Sequence, residues 1–471
     1  PLGANIMGTS RRADRCRICC NSLFGSPGSL TMASRPHMQK AGLTPAGVVA
    51  VCCMLSVVAG LDIPFGEVAP GHIRFLPMEG SLCGDGETAW YGLIEPAVLK
   101  EPDAFFVEIM GGAVCFNKTS CEDSWLGAWL GITRFLKEKL RLDDTYVGML
   151  KSGNNIPMSL LAPLRPGYLP FTDTHPYAGL RGVYFTTCTA DVSMGRHNVT
   201  YEDGYSAHQH GGINFLTMLN AVKAKMPDLK KFAVYGGSGG GVAASVWMQG
   251  VADLWPSAEV TAFVDSGFHM MPGGEFFNFF WDNVAWSPGP GGDNAGRYDS
   301  VVLPTFDWRH QNAISSQLHA YDGRVKVVYI GCSEDYIVFG DRATMSKYSA
   351  FDGSSIHQLP EMWSFLTNLH RCAPAGSAFS YIASCSKHHM SREGWPEEAD
   401  IEGVITMQSF TERVLKGLPP DAADPNRTHF WYEHKSLEND GTVCEADQTP
   451  APTPAPTSAS TPAPTPAPTP A

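Results

Sequence analysis

Basic residues are scarce in this sequence. Lys and Arg together number 34 against 47 Asp and Glu, which leaves a net charge of −13 over 471 residues. A surface of that sign repels phosphates and excludes nucleic acid as a natural partner. Long apolar runs are also missing. The best candidate, Gly47-Val-Val-Ala-Val-Cys-Cys-Met-Leu-Ser-Val-Val-Ala-Gly60, is shorter than the roughly 20 residues that span a bilayer. No Gly-Lys-Ser/Thr follows a glycine-rich turn, so there is no P-loop. Apart from the C-terminal tail there is no internal repeat. Cys16, Cys19 and Cys20 lack a second ligand pair at zinc-site spacing, so the sequence predicts neither a metal nor any other cofactor.

Cysteine is plentiful, at 13 residues. Eight lie beyond the first 53 residues: Cys83, Cys115, Cys121, Cys188, Cys332, Cys372, Cys385 and Cys444. An even number spread through a folded region suits disulfides in an oxidising compartment. Arg35 and Lys40 precede the short apolar run, and small residues end it, which is the pattern of a signal peptide near residues 38–60. Met32 or Met38 is a candidate start. Asn117-Lys-Thr, Asn198-Val-Thr and Asn426-Arg-Thr are acceptor patterns for N-linked glycans. These features together predict a secreted or cell-surface glycoprotein. The tail is a Thr-Pro-Ala-Pro repeat that cannot build a core, and serves as a tether to a wall or membrane or as a spacer. The expected organisation is a leader over residues 1–60, one domain over 61–445 and the tail over 446–471.

Within that domain, short and nearly continuous apolar runs predict strands at Ala104–Met110, Gly182–Thr186, Lys231–Tyr235, Val260–Val264 and Lys326–Ile330. Helical patterns separate several of them. Phe215, Leu216, Leu219 and Val222 fall on one helical face just before the third strand. The alternation predicts a doubly wound, mostly parallel α/β sheet with helices on both faces, and the serine turn described next narrows it to the α/β-hydrolase type.

Tyr235-Gly236-Gly237-Ser238-Gly239-Gly240-Gly241 contains Gly-x-Ser-x-Gly between a strand-like run and the helix-like run Val242–Gln249. That is the setting of a nucleophile elbow, where the turn is too tight for flanking side chains and the serine hydroxyl stands out at the end of the sheet. The Gly239 amide would face an oxyanion at the following helix N-terminus. A glycine-rich turn can instead cradle phosphate. A dinucleotide site, however, wants Gly-x-Gly-x-x-Gly with an acid about 20 residues on, and Asp253 comes too early.

Serine needs an imidazole to take its proton and an acid to orient that imidazole. In α/β-hydrolases the chain order is Ser, acid, His. After the strand Lys326–Ile330 come Glu334 and Asp335. Asp335 is the expected acid, with Glu334 and Asp341 as alternates. Ser384-Cys385-Ser-Lys-His388-His389 offers His388 as base and His389 as its rival.

Several segments resemble the pectin acetylesterases and the related Notum carboxylesterases, over about Ala104 to Trp431. Met110-Gly-Gly-Ala-Val-Cys-Phe-Asn117 is similar to the family's Glu-Gly-Gly-aromatic-x-Cys segment. Thr187-Cys-Thr-Ala-Asp-Val-Ser-Met-Gly195 resembles its Tyr-Cys-x-x-Asp-x-x-x-Gly segment. Gly236–Gly241 resembles its elbow, Asp265-Ser-Gly267 its Asp-Ser-Gly, and Cys385-Ser-Lys-His388 its Cys-x-x-His.

The resemblance implies Ser238 as nucleophile, His388 as acid–base, Asp335 as the orienting acid, and the amides of Gly112, Ala113 and Gly239 as the oxyanion hole. It implies removal of an acyl group, expected to be acetyl, from an extracellular polysaccharide such as pectin. The alternatives are a Notum-like hydrolase of fatty acyl esters on proteins and, outside enzymes, an inactive glycan-binding relative. Met110 and Ala113 depart from the family's acidic and aromatic residues, Gly239 from its alanine, Val338 from a glutamine and His389 from a plant-type cysteine. Ala113 leaves room for a wider pocket.

Cys115–Cys121 and Cys372–Cys385 are the expected disulfides. Asp191 and Asp265 are candidate pocket acids. Asp191 also reads as a turn or cap residue, and Asp265 competes with Asp335 for the triad. His208 and His210, without a third ligand nearby, read as a polar loop rather than a metal pair.

Overall fold

The computed structural model describes residues 61, 63–111, 118, 121, 137, 143–161, 177–201, 204–267, 313–321, 323–332, 365–366, 369–370, 372–374, 376–383 and 407–416. The chain divides into residues 1–62 and 63–471, and the fold below belongs to the second unit.

Its centre is one nine-stranded sheet. The strands are β1 (His72–Leu82), β2 (Thr88–Glu95), β3 (Ala104–Ile109), β4 (Asn155–Pro157) and β5 (Arg181–Phe185), then, after a separate hairpin of β6 (His197–Thr200) and β7 (Ser206–Gln209), β8 (Lys231–Gly237), β9 (Glu259–Asp265), β10 (Val325–Cys332) and β11 (Ala378–Ala383). Their order across the sheet is β11-β10-β9-β8-β3-β5-β2-β1-β4. Six strands from β11 to β5 run parallel, and β2, β1 and β4 continue the sheet antiparallel. This is the mostly parallel, α/β-hydrolase-like sheet that the sequence predicts. All five expected strands are present, each within two residues of its expected ends.

The described helices are α1 (Asp144–Lys151), α2 (Met158–Leu161), α3 (Gly211–Lys225), α4 (Gly239–Leu254), α5 (Ala313–Ala320) and α6 (Met407–Leu415). The parallel strands are buried on both faces, which is why they read as unbroken apolar runs. One face carries α3 and α4. There Trp255, just past α4, packs on Phe232 with ring centroids 4.9 Å apart, and Phe215 of α3 sits between Phe185 and Trp247 at 5.0 and 4.9 Å. On the opposite face Phe410 of α6 packs on Tyr381 at 5.4 Å. Helices therefore cover both faces, and each buried aromatic adds roughly 2–3 kcal/mol of apolar stabilisation.

α4 is buried along almost its whole length, with every residue from Gly239 to Met248 buried, so it is apolar all round rather than striped. It stops at Trp255, where Pro256 disfavours the helical conformation of the residue before it. Arg324 closes that end, its guanidinium donating to the carbonyls of Ala252, Trp255 and Ala258 at 3.3, 3.2 and 3.0 Å.

Cys83 and Cys188 form a disulfide that joins the end of β1 to the chain after β5. Cys121, Cys332 and Cys372 are also disulfide-bonded. Each pair expected from the sequence, Cys115–Cys121 and Cys372–Cys385, has one member outside the described residues.

Candidate active site

Ser238 occupies the turn between β8 and α4 with φ 53° and ψ −124°. A non-glycine residue adopts that conformation only under constraint from its surroundings, at a cost of order 1–3 kcal/mol. The constraint comes from close packing of backbone on backbone. A Cβ on Gly236 would collide with the carbonyl of Gly240, and a Cβ on Gly240 would collide with the carbonyl of Ile109. Glycine at both positions lets the first turn of α4 fold against the end of β8 and against the end of β3. Ser238 itself is half-buried between buried neighbours. Its hydroxyl does not cap the helix. Its carbonyl accepts from the N–H groups of Gly241 (2.9 Å) and Val242 (3.2 Å), which starts α4. The Gly239 N–H makes no backbone hydrogen bond among the described residues, so this donor at a helix N-terminus is available to an anion beside the serine.

The strand register brings four residues into one row at the C-terminal rim of the sheet: Gly237, Asp265, Ile330 and Tyr381. Just past that row the chain turns through Ser238, leaves β9 through Ser266 and Gly267, leaves β10 after Cys332 and leaves β11 after Ala383. In sequence, Asp335 follows the end of β10 by three residues and His388 follows the end of β11 by five. Gly112 and Ala113 follow the end of β3, and β3 ends level with Gly236. Asp335, its alternates Glu334 and Asp341, His388, its rival His389, Gly112 and Ala113 all lie outside the described residues. Among the expected site residues, the structure describes Ser238, Gly239, Asp191 and Asp265.

Asp265 lies directly beneath the elbow and is fully buried. Its main-chain carbonyl accepts the Ser238 N–H at 2.7 Å. Its carboxylate receives the Tyr235 hydroxyl on Oδ2 at 3.1 Å and the Ser266 hydroxyl on Oδ1 at 3.3 Å. Ser266 also has a positive φ, 56°, and its N–H donates to the carbonyl of Ile330 at 2.8 Å, so the chain at the end of β9 is pinned on both sides.

Asp191 is placed elsewhere, at the start of α3. Oδ1 accepts from the Thr189 hydroxyl (2.7 Å) and the Ser193 N–H (3.0 Å), and Oδ2 accepts from the Gly211 N–H (2.7 Å). It caps a helix from 20 residues upstream, in a buried loop where Ala190, Val192 and Ser193 all have positive φ. Burial raises its pKa to about 6, although its hydrogen bonds pull the other way. The loop reaches α4 where the Trp247 indole N–H donates to the Ser193 carbonyl at 2.8 Å.

His208 sits on β7 and His210 directly precedes α3, rather than in an open loop. His208 Nδ1 bonds Asn198 Oδ1 at 2.8 Å, and burial lowers the pKa of His210 to about 4. Among the described residues no group of three His, Cys, Asp or Glu side chains could hold a metal ion.

Two buried groups near the elbow escaped the sequence reading. Glu108 of β3 pairs in register with Tyr235 of β8, and burial alone drives its carboxyl pKa well above the usual range. Tyr177 stacks on Phe106 at 5.1 Å and meets the edge of Tyr235 at 6.2 Å. Glu108 could have been noticed as the one charge inside an otherwise apolar strand; Tyr177 carried no signal.

No family model and no curated protein matches the chain. Two crystal structures of the Wnt deacylase Notum from Drosophila are structural neighbours, each at 15% identity over 74% of this chain. They are covered to 92% and 94% of their own lengths, with TM-scores of 0.43 and 0.44.

Proposed function

We propose that this chain is a serine carboxylic-ester hydrolase. The observation that carries this is the conformation of Ser238: a half-buried serine held at positive φ on a strand–helix turn, beside the helix-terminal amide of Gly239, which makes no backbone hydrogen bond among the described residues. A nucleophile on such a strand–helix turn gains exposure and an oriented hydroxyl.

In this reading Ser238 Oγ attacks the ester carbonyl carbon while His388 takes its proton. Asp335 holds the imidazole. The amides of Gly112, Ala113 and Gly239 carry the charge of the tetrahedral oxyanion, each worth about 3 kcal/mol of barrier. Collapse passes the proton from His388 to the leaving alcohol and leaves an acyl-serine, which water hydrolyses by the reverse sequence. Likeness of the quoted segments to pectin acetylesterases supports acetyl as the acyl group and an extracellular polysaccharide such as pectin as its carrier. The five disulfide-bonded cysteines among the described residues fit an oxidising, secreted or cell-surface location. Among the described residues no helix is long and apolar enough to cross a membrane.

The test is hydrolysis of p-nitrophenyl acetate by the wild type and by Ser238→Ala, followed by a series of acyl chain lengths. Loss of turnover in the variant supports the assignment, and full turnover rejects it. A preference for chains of about eight carbons or more would replace the acetyl reading by a fatty-acyl one, which the small Ala113 favours. Failure of the wild type to react with a fluorophosphonate at Ser238 would leave the glycan-binding alternative. Acetate release from a panel of acetylated polysaccharides then identifies the carrier.

A further inference from the structure

Asp265 has two relationships to the elbow, one through its backbone and one through its side chain. Through the backbone, its carbonyl holds the N–H of Ser238 at 2.7 Å. This hydrogen bond is made by the strained residue itself, and it ties the turn to the end of the neighbouring strand. Through the side chain, Oδ2 is taken by the hydroxyl of Tyr235 and Oδ1 by that of Ser266. Tyr235 is three residues before the serine on the same strand, and its ring is wedged against Tyr177 at 6.2 Å. The hydroxyl of Tyr235 and the amide of Ser238 thus grip Asp265 from two points of the same strand–turn unit. The side-chain bonds tie the end of β9 to Tyr235 of β8 and to Ser266, and that end of β9 carries the carbonyl that meets the serine amide.

We infer that Asp265 is a positioning residue for Ser238 and that the Tyr235 hydroxyl locks it, so that the pair holds the elbow in its reactive conformation. The inference rests on the serine-hydrolase reading above and separates Asp265 from the acid that orients the imidazole. A positioning role needs the two side-chain hydrogen bonds and the carbonyl but not the negative charge. An orienting acid needs the charge. Asparagine tells the two apart, because its amide oxygen accepts from Tyr235 and its amide nitrogen donates to Ser266.

The experiment compares Tyr235→Phe, Asp265→Asn, Asp265→Ala and Ser238→Ala in the full chain. The readouts are kcat and KM on p-nitrophenyl acetate, the rate of fluorophosphonate labelling of Ser238, and the thermal midpoint. Loosening of a nucleophile by a fraction of an ångström costs about ten- to a hundredfold in rate. Tyr235→Phe should therefore lower kcat and the labelling rate together by about tenfold, with KM within about twofold of wild type. Asp265→Ala should fall about a hundredfold, and Asp265→Asn should recover at least about tenfold of that loss.

An Asp265→Asn variant as slow as Asp265→Ala overturns the inference and makes Asp265 the orienting acid. Wild-type kcat in both Tyr235→Phe and Asp265→Ala also overturns it. If Asp265→Ala does not fold, Tyr235→Phe and Asp265→Asn still decide, since each removes only one property of the pair. Turnover in Ser238→Ala would instead overturn the hydrolase reading itself, and this inference with it.

Discussion

Asp191 Oδ2 accepts the N–H of Gly211 at 2.7 Å, so one carboxylate closes the N-terminus of α3, the helix that leads into β8. Its other oxygen holds its own loop through Thr189 and Ser193. All three partners are donors, and a Cβ on Gly211 would collide with Oδ1, so the site is shaped around a carboxylate. It organises the scaffold rather than facing a substrate.

This arrangement has a pH signature. Asp191 titrates at about 6 in the fold against 3.8 in the open chain. Its contribution to stability is full below pH 3.8 and is lost as pH rises through about 6. His210 behaves in the opposite sense, with a folded value of about 4 against 6.5. Its contribution is full above pH 6.5 and is lost as pH falls through about 4. The two slopes oppose each other between about pH 4 and 6. Urea midpoints across that window should rise more steeply with pH in Asp191→Asn than in the wild type, and less steeply in His210→Asn. Each changes the slope by up to about 1.4 kcal/mol per pH unit. Identical slopes in all three proteins would refute this.

Relief of backbone strain at the elbow should be measurable. Ser238→Gly removes the Cβ that resists positive φ, and should gain about 1 kcal/mol in stability while losing turnover. Chemical denaturation monitored by tryptophan fluorescence gives the comparison. A glycine variant less stable than the wild type would mean that the conformation carries no strain.

Arg324 closes the C-terminus of α4 with one guanidinium on three carbonyls. Replacement by Met keeps the aliphatic stem and removes the donors. Stability should drop by about 2 kcal/mol, as expected for charge-assisted hydrogen bonds to a helix end. A midpoint within error of the wild type would show that water replaces the guanidinium without loss.

The Cys83–Cys188 bond closes a loop of 105 residues in sequence. A crosslink of that span restricts the unfolded chain by about 4–5 kcal/mol in the chain-entropy description. Cys83→Ala/Cys188→Ala should lower the denaturation midpoint accordingly, and a reductant, which opens the other disulfides as well, should lower it in the wild type at least as far. Equal midpoints with and without reductant would exclude this role.

The sequence disclosed what short-range chemistry determines. Five parallel strands could be read because burial on both faces makes them apolar without interruption, as in Ala104-Phe-Phe-Val-Glu-Ile109. The elbow could be read because Gly236 and Gly240 answer a local steric demand. β1 escaped notice because it alternates buried and exposed residues and contains Pro77. β11 escaped because Ser380 breaks its apolar run, and the reason for that serine is a buried hydrogen bond to His370 at 2.7 Å. The grip of Tyr235 on Asp265 spans 30 residues and the Cys83–Cys188 pair spans 105, and neither leaves a trace in local pattern. Asp191 offered two roles in the sequence, and only the approach of Gly211 from 20 residues away assigns it to the helix end.

The aligned row of Gly237, Asp265, Ile330 and Tyr381 has an evolutionary consequence. Because β8 and β9 stop on this row and β10 and β11 only two residues beyond it, the connections that follow them can lengthen, shorten or be exchanged while the serine keeps its place. On the proposed function, reactivity goes with the rim and selectivity with the connections. A chimera that swaps the segment between residues 267 and 313 for that of another enzyme of this architecture should change which ester is cleaved before it changes whether one is.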